Sequence, residues 1–247
     1  MIQYDGSAYM GWQRVNNGKA TKFSIQGLIE QILTELLDEP ILVIASGRTD
    51  AGVHAISQVA NFHSKKLSDV SVLQEKLKER LPEDIRIFNM EEVESSFHSR
   101  YDAIQKTYIY RINTRERESV FTRKYSYPLN EQLHIREMQQ AAAYLIGTHD
   151  FKAFCTDRKD GKSTTRTIYD IKISNINNQY GCSEVQIEIT GDGFLYHMVR
   201  IIVGSLIEVG TLRRNPLSVK EALDSMDRSK SGAKIDSRGL FLKNVLY

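Results

Sequence analysis

The chain has 247 residues, of which 41% are hydrophobic and 26% are charged, and its net charge at pH 7 is +2. These values are typical of an ordinary globular protein with one large domain or two modest ones. Cys155 and Cys182 form no CxxC pair, and there is no signal peptide or apolar run of about eighteen residues, which argues against a disulfide framework, a zinc finger and a membrane span and predicts a cytoplasmic protein.

The first half of the chain has the pattern of alternating helices and strands. Ser24 can cap a helix whose apolar residues recur at intervals of three and four as far as Pro40. The β-branched and apolar residues that follow favour buried strands, with one more helix among them. In chain order, the predictions are strand 41–46, strand 53–64, helix 70–81 and strand 85–90.

The second half of the chain also alternates between predicted strands and predicted helices. Two stretches alternate apolar and polar residues, as half-buried antiparallel strands do. One stretch, 194–210, is apolar almost all round, which predicts a buried helix with Arg200 near its middle. In chain order, the predictions are strand 107–112, helix 133–146 with Gly147 as its C-cap, strands 167–174 and 183–190, helix 194–210, a helix from Pro216 and strand 239–247.

These elements predict an α+β fold with helices stacked on one face of a largely antiparallel sheet. The two halves are expected to be domains, residues 1–98 and 99–247. Two related halves could share one sheet, with a cleft where they meet.

The loop that follows strand 41–46 carries the most informative charges. Gly47 and Gly52 bracket Arg48 and Asp50, and glycines allow positive φ and close approach of another backbone. A tight turn with charged corners is one interpretation. The other is that the loop presents the Asp50 carboxylate for chemistry.

Arg200 is a charge within an apolar stretch, which is costly unless an anion pairs with it. Asp50, Glu208, Asp192, a phosphate or solvent could each serve, and the residues alone do not choose among them.

Basic residues also cluster with tyrosines. Residues 106–124 contain six basic residues against two acidic ones, and residues 152–166 contain five against two. Such surfaces could hold phosphates and stack on bases, or they could be a solvated face above core tyrosines.

Several motifs together resemble one family, the tRNA pseudouridine synthase A family, in order and over essentially the whole chain. The stretch GRTDAGVHA is the most specific of them. The motifs are Tyr4-Asp5-Gly6, Gly11-Trp12-Gln13, residues 47–55, 97–100, 106–111, 147–151, 163–168, and 193–195 with 197–200.

The resemblance implies a tRNA-modifying isomerase with two ferredoxin-like domains and a basic cleft, acting as a homodimer without cofactor or metal. Its substrate would be uridine at positions 38–40 of the anticodon stem-loop. The N-glycosidic bond breaks, the base turns, and C5 rejoins the ribose. Asp50 would be the nucleophile or base, and the resemblance leaves open whether it attacks covalently or removes the C2′ proton.

The resemblance also implies roles for other residues. Arg48 would occupy the space left by the flipped base or steady its phosphate, and Arg200 would pair with Asp50. Tyr108 would stack on the target base, although a core tyrosine is the alternative. The remaining substrate-binding residues are Leu195, which would line the base pocket, with Arg100, Lys106 and Arg111.

Two other functions compete with this one. A non-catalytic RNA-binding module on the same fold would keep the basic surfaces but would not need Asp50. A glycosidase with paired carboxylates would need a second acid facing Asp50, and the sequence offers no convincing candidate.

Overall fold

The structure is a computed structural model that describes residues 1–14, 24–67, 69–114, 119–156, 161, 163–177 and 183–247. The chain divides into two compact units. The first unit is Met1–Ile104 with Phe241–Tyr247, and the second is Gln105–Leu240. The predicted domain boundary after residue 98 stays a prediction.

The described residues contain helices and strands in mixed order, which confirms the predicted α+β class. The helices are α1 (Ile25–Leu37), α2 (Val70–Arg80), α3 (Ile135–Ala143), α4 (Met198–Gly210) and α5 (Leu217–Ser225). The strands are β1 (Ile2–Tyr4), β2 (Ile44–Ala45), β3 (His54–Gln58), β4 (Ala60–Asn61), β5 (Ile85–Ile87), β6 (Gln105–Asn113), β7 (Tyr127–Pro128), β8 (Gly147–Asp150), β9 (Thr165–Asn177), β10 (Ser183–Gly191) and β11 (Leu240–Leu246).

The sheet of the first unit has the strand order β5-β1-β3-β11. β1 is antiparallel to both β5 and β3, and β11 runs parallel to β3. β2 and β4 form a separate antiparallel ribbon, with Ile44 opposite Asn61. This ribbon leads directly into the loop that carries Asp50.

The sheet of the second unit has the order β6-β10-β9-β8, and these neighbours are all antiparallel. Ile187 lies opposite Ile173 and Tyr110, and Ile189 lies opposite Ile171 and Tyr108. Side chains at paired positions share a face of the sheet, so these residues form one apolar surface. All six side chains are less than 10% exposed, which makes this face part of the core of the unit.

Helix α1 forms where the sequence predicts it. The Ser24 hydroxyl accepts a hydrogen bond from the Gly27 amide at 3.2 Å, and the helix ends at Asp38 in a left-handed conformation, φ 49°. None of the described helices is both long and apolar enough to cross a membrane.

The predicted strand 41–46 is wrong in extent, because only Ile44 and Ala45 pair with another strand. The amide of Ile41 donates to the Thr34 hydroxyl at 3.1 Å, and the amide of Val43 donates to the Glu30 carboxylate at 3.0 Å. Side chains of α1 therefore take the donors that a longer strand would use.

Two predicted helices also have wrong ends. α3 stops at Ala143 and has Tyr144 as its C-cap, whereas Gly147 has φ +111° and begins β8. The predicted helix 194–210 begins only at Met198, after His197 in a left-handed conformation, φ 63°. Arg200 is therefore in the first turn rather than the middle, and Glu208 is a second charge in this helix.

Candidate active site

The loop between β2 and β3, residues 46–53, is called here the Asp50 loop. Thr49 is buried, with 6% of its surface exposed, whereas its neighbour Arg48 is exposed and Asp50 is half-buried. The Thr49 hydroxyl lies 2.7 Å from the hydroxyl of Tyr4, in the buried part of the unit. The loop is thus anchored through Thr49 and leaves the charged groups on either side of it accessible.

Backbone contacts with the N-terminal segment hold the Asp50 loop as well. The Trp12 amide donates to the Thr49 carbonyl at 3.0 Å, and the Gly52 amide donates to the Tyr9 carbonyl at 3.4 Å. Gly11 has φ +95°, and a Cβ built there would lie 2.7 Å from the Thr49 carbonyl oxygen. Only glycine allows this conformation and this close approach at low cost. The motifs YDG and GWQ therefore belong to the same piece of structure as the loop.

Gln58 supports the beginning of the loop from β3. It is completely buried, its amide nitrogen donates to the Gly47 carbonyl at 2.9 Å, and its amide oxygen accepts from the Ser46 hydroxyl at 2.7 Å. Burial raises the pKa of Tyr4 to about 12, although hydrogen bonds with Thr49 and Gln58 oppose the shift. Tyr4 is therefore a neutral phenol at ordinary pH, within a satisfied buried polar network.

Arg100 lies elsewhere in the first unit, on an exposed turn after Phe97. Its guanidinium lies 5.8 Å from the centroid of the Tyr101 ring, which is a cation–π contact. Ser99 fixes the turn, because its hydroxyl donates to the Ile44 carbonyl at 2.6 Å and its amide donates to the Asn61 side chain at 3.0 Å. Arg100 is thus attached to the β2–β4 ribbon that feeds the Asp50 loop.

Tyr108 lies on β6 in the second unit and is 8% exposed. Its ring meets Phe194 edge-on at a centroid distance of 5.2 Å, which fixes its orientation. Tyr108 shares the core face of the sheet with Ile189. Its ring is therefore packed in the core and also held in one orientation by Phe194. Its role in stacking on a base stays a prediction.

Lys106 and Arg111 are half-buried residues on the same strand as Tyr108. Successive side chains of a strand point to opposite faces, so Lys106 shares the face of Tyr108 and Arg111 lies on the other face. The structure therefore does not bring Arg111 together with the other two.

Leu195 and Arg200 flank the start of α4. Leu195 is 5% exposed, and its carbonyl accepts from the Met198 amide at 3.0 Å. Arg200 is half-buried, and its Nε donates to the Ile235 carbonyl at 2.8 Å. Asp50 and Arg200 belong to different units, and their pairing stays a prediction.

Parts of the predicted basic surfaces lie outside the described residues. They are Arg115, Arg117, Arg158, Lys159 and Lys162.

Sequence reasoning did not single out Tyr4, Trp12 or Gln58 as individual functional residues. The motifs YDG and GWQ contain the first two, but the motifs do not say what each residue contacts. The sequence carries no distinct signal for Gln58, since β3, HAISQ, also contains the polar residues His54 and Ser57.

Comparison with known proteins decides the family. A family model described as tRNA pseudouridine synthase matches residues 1–102 and 141–247. The chain belongs to the tRNA pseudouridine synthase family. The resemblance seen in the motifs is thereby confirmed.

Two similar members of the tRNA pseudouridine synthase family illustrate the match. The tRNA pseudouridine synthase A of Bacillus sp. (strain KSM-64) is 44% identical over 247 residues, 100% of this chain and 98% of that protein. The tRNA pseudouridine synthase A 2 of Clostridium tetani (strain Massachusetts / E88) is 44% identical over 246 residues, 100% of this chain and 96% of that protein. A solved structure titled "Crystal Structure of a Cbf5-Nop10-Gar1 Complex" covers 88% of this chain and 44% of its own at 12% identity, with a TM-score of 0.39, which is too low to bear on the fold.

The Asp50 loop lies within the residues that the family model matches. So do Arg100, Leu195 and Arg200. Lys106, Tyr108 and Arg111 lie in the stretch 103–140 that the family model does not cover.

Proposed function

We propose that the protein isomerises uridine to pseudouridine at positions 38–40 of the tRNA anticodon stem-loop, with Asp50 as the catalytic group. The observation that carries this proposal is the Asp50 loop itself. Thr49 is held in a buried hydrogen bond, and the half-buried Asp50 follows it directly. A loop fixed in this way holds a carboxylate in one position where a substrate can reach it, and catalysis requires such positioning.

The chemistry asks for one carboxylate that is ionised at neutral pH. Asp50 either attacks the nucleotide covalently or removes the C2′ proton, and in both routes the glycosidic bond breaks, the base turns, and a bond forms from C5 to C1′. The proton lost from C5 is balanced by the proton gained at N1, and Asp50 is regenerated because its covalent bond breaks in the first route and the C2′ proton is returned in the second, so uridine and pseudouridine are isomers. No redox partner takes part in this balance.

The target base must leave its stack before a carboxylate can reach its ribose. Unstacking and unpairing cost on the order of a few kcal/mol. Arg48 is suited to offset part of this free-energy cost through its own contacts with the RNA, because it is exposed and only two residues from Asp50. We assign it to the space vacated by the base or to the phosphate of the flipped nucleotide.

The second unit supplies the remaining proposed contacts. We assign Tyr108 to stacking on the flipped base, Leu195 to the apolar wall of its pocket, and Arg200 to pairing with Asp50. Phe194 supports this assignment, because it holds the Tyr108 ring edge-on and precedes Leu195 directly in the chain.

Binding of the tRNA outside the target base falls to the basic residues. We assign Arg100, Lys106 and Arg111 to phosphate contacts, with Arg111 serving a different stretch of RNA because it lies on the other face of β6. We further propose that the enzyme works as a homodimer in the cytoplasm, where its substrate is made.

Base-resolved pseudouridine mapping tests the proposed substrate. Unmodified tRNA transcripts with uridine at positions 38, 39 and 40 are incubated with the protein, and matched transcripts carry cytidine at these positions. We expect new pseudouridine at these positions in the first set and none anywhere in the second. Pseudouridine at other tRNA positions, or none in either set, would contradict the proposal.

A further inference from the structure

A pair of stacked aromatic side chains stands between Leu195 and Arg200, and the proposed function does not use it. The rings of Tyr196 and His197 lie 3.6 Å apart at an angle of 29°. Tyr196 is 58% exposed, whereas Leu195 before it is 5% exposed. An aromatic ring this exposed, beside residues assigned to the substrate, is a candidate contact for the substrate itself.

The backbone at this pair is in an uncommon conformation. His197 has φ 63° and is the N-cap of α4, and its side chain makes no capping hydrogen bond there. A left-handed conformation is unfavourable for a residue with a Cβ, and it persists where surrounding contacts hold it. Two such contacts are the bond from the Met198 amide to the Leu195 carbonyl and the bond from the Ile201 amide to the His197 carbonyl, both 3.0 Å.

Thr156 fixes both members of the pair. Its amide donates to the Tyr196 carbonyl at 3.2 Å, and its hydroxyl lies 2.6 Å from Nδ1 of His197. One residue thus holds the backbone of the outer ring and the imidazole of the inner ring. The two rings form a built platform, with His197 as the support and Tyr196 as the outer layer.

The exposure of the outer ring indicates which part of an RNA it would meet. A base that undergoes chemistry needs an enclosed site from which water is excluded. The Tyr196 ring is more than half exposed, so it suits a base that stays in the RNA strand next to the target. Aromatic side chains stack on unpaired bases with little regard to sequence, because every base has a π-face.

We propose that the Tyr196 ring, supported by His197 and braced by Thr156, stacks on an RNA base that neighbours the isomerised uridine. This subsite rests on the proposed function, since it requires an RNA substrate. It adds a binding contact that does not take part in the bond changes. Its loss should therefore weaken RNA binding in the ground state while leaving the chemical step nearly intact.

A fluorescent base tests the contact directly. Anticodon stem-loop RNAs carry 2-aminopurine at single positions flanking the target, and each is titrated with wild type, Tyr196→Ala and Tyr196→Phe. Tyr169→Ala is the matched control, because Tyr169 is also an exposed tyrosine of the second unit, 46% exposed on β9. For Tyr196→Ala we expect Kd and KM to rise about 5- to 150-fold, with kcat within about threefold of wild type.

The fluorescence separates stacking from a general loss of structure. Wild type should quench 2-aminopurine at one flanking position, Tyr196→Phe should retain the quenching and bind within about twofold, and Tyr196→Ala should lose it. The quenching and affinity of Thr156→Val should lie between those of Tyr196→Phe and Tyr196→Ala, because this change removes the hydroxyl that holds His197 but keeps the Tyr196 ring.

Three results would overturn the platform. The first is that Tyr196→Ala binds RNA and quenches 2-aminopurine as wild type does. The second is that Tyr196→Phe loses as much affinity and quenching as Tyr196→Ala, and the third is that Tyr169→Ala loses as much as Tyr196→Ala. The failure of the proposed function looks different, since wild type would then make no pseudouridine in tRNA while Tyr196-dependent quenching would still support the platform as an RNA contact.

Discussion

The buried hydrogen bond between Tyr4 and Thr49 is the attachment of the Asp50 loop that single substitutions can remove most cleanly. Tyr4→Phe deletes one hydroxyl and keeps the ring, while Thr49→Val deletes the other and keeps the volume. Each change leaves a buried hydroxyl without the partner that lies 2.7 Å away in the wild type. Leaving such a group unsatisfied costs about 1–3 kcal/mol in the free energy of unfolding.

The two losses should not add, because the double variant leaves neither hydroxyl behind. A typical hydrogen bond contributes about 0.5–1.5 kcal/mol, so we expect the double variant to be less destabilised than the sum by about 1 kcal/mol. Tyr4 also hydrogen bonds with Gln58, which should make Thr49→Val the milder single change.

Urea unfolding of the four proteins gives the coupling energy between the two hydroxyls, and steady-state pseudouridine formation gives kcat and KM. We expect each single variant to lower kcat more than it raises KM, because the bond positions Asp50 rather than the RNA. Thr148→Val is the matched control, since it removes a threonine–threonine hydrogen bond of 2.9 Å that is exposed. Additive losses of stability with an unchanged kcat would refute the view that this bond holds the loop.

Three further predictions concern the loop and the RNA. Gly11→Ala should lower both stability and kcat, because a Cβ would lie 2.7 Å from the Thr49 carbonyl oxygen at a positive φ, and wild-type values in unfolding and turnover assays would contradict this. Burial raises the pKa of Tyr4 from 10.0 to about 12, so the stability it contributes is fully present below pH 10.0 and is lost as pH rises toward 12. Wild type should therefore lose stability across this window faster than Tyr4→Phe, by about 1.4 kcal/mol per pH unit in urea unfolding, and parallel curves would argue against the raised pKa. The affinity for tRNA should fall steeply with salt in a filter-binding titration, through counterion release, whereas a flat dependence would contradict the basic RNA-binding surface.

The sequence predicts the fold best where local signals decide it. Helix α1 is an example, because Ser24 caps it and its apolar residues repeat at helical spacing. The strand predicted at 41–46 fails because Thr34 and Glu30, which lie in α1 outside the predicted strand, accept hydrogen bonds from the backbone amides of Ile41 and Val43. No local pattern in the strand contains that information.

The start of α4 shows a different limit. Residues 194–210 are apolar nearly throughout, and apolar composition does not reveal that His197 turns the chain in a left-handed conformation. A helix over all of 194–210 would place Arg200 near its middle, whereas Arg200 lies in the first turn of α4. The stacking of Tyr196 on His197 could not be predicted for the same reason.

The candidate site was predictable to the level of its motifs. GRTDAGVHA pointed to Asp50 and Arg48, and the structure adds that Thr49 between them is the buried anchor. The contacts of Tyr4, Trp12 and Gln58 with the loop join residues far apart in the sequence, so only the fold reveals them.

The central claim is that the loop exists to present the Asp50 carboxylate, and Asp50→Asn tests it most directly. Asp38→Asn is the matched control, because it makes the same chemical change at a carboxylate that is 95% exposed at the end of α1. Under single-turnover conditions with unmodified tRNA, we predict no pseudouridine from Asp50→Asn, tRNA binding close to that of wild type, and normal turnover by Asp38→Asn. Pseudouridine formed by Asp50→Asn at a rate close to that of wild type would contradict the claim.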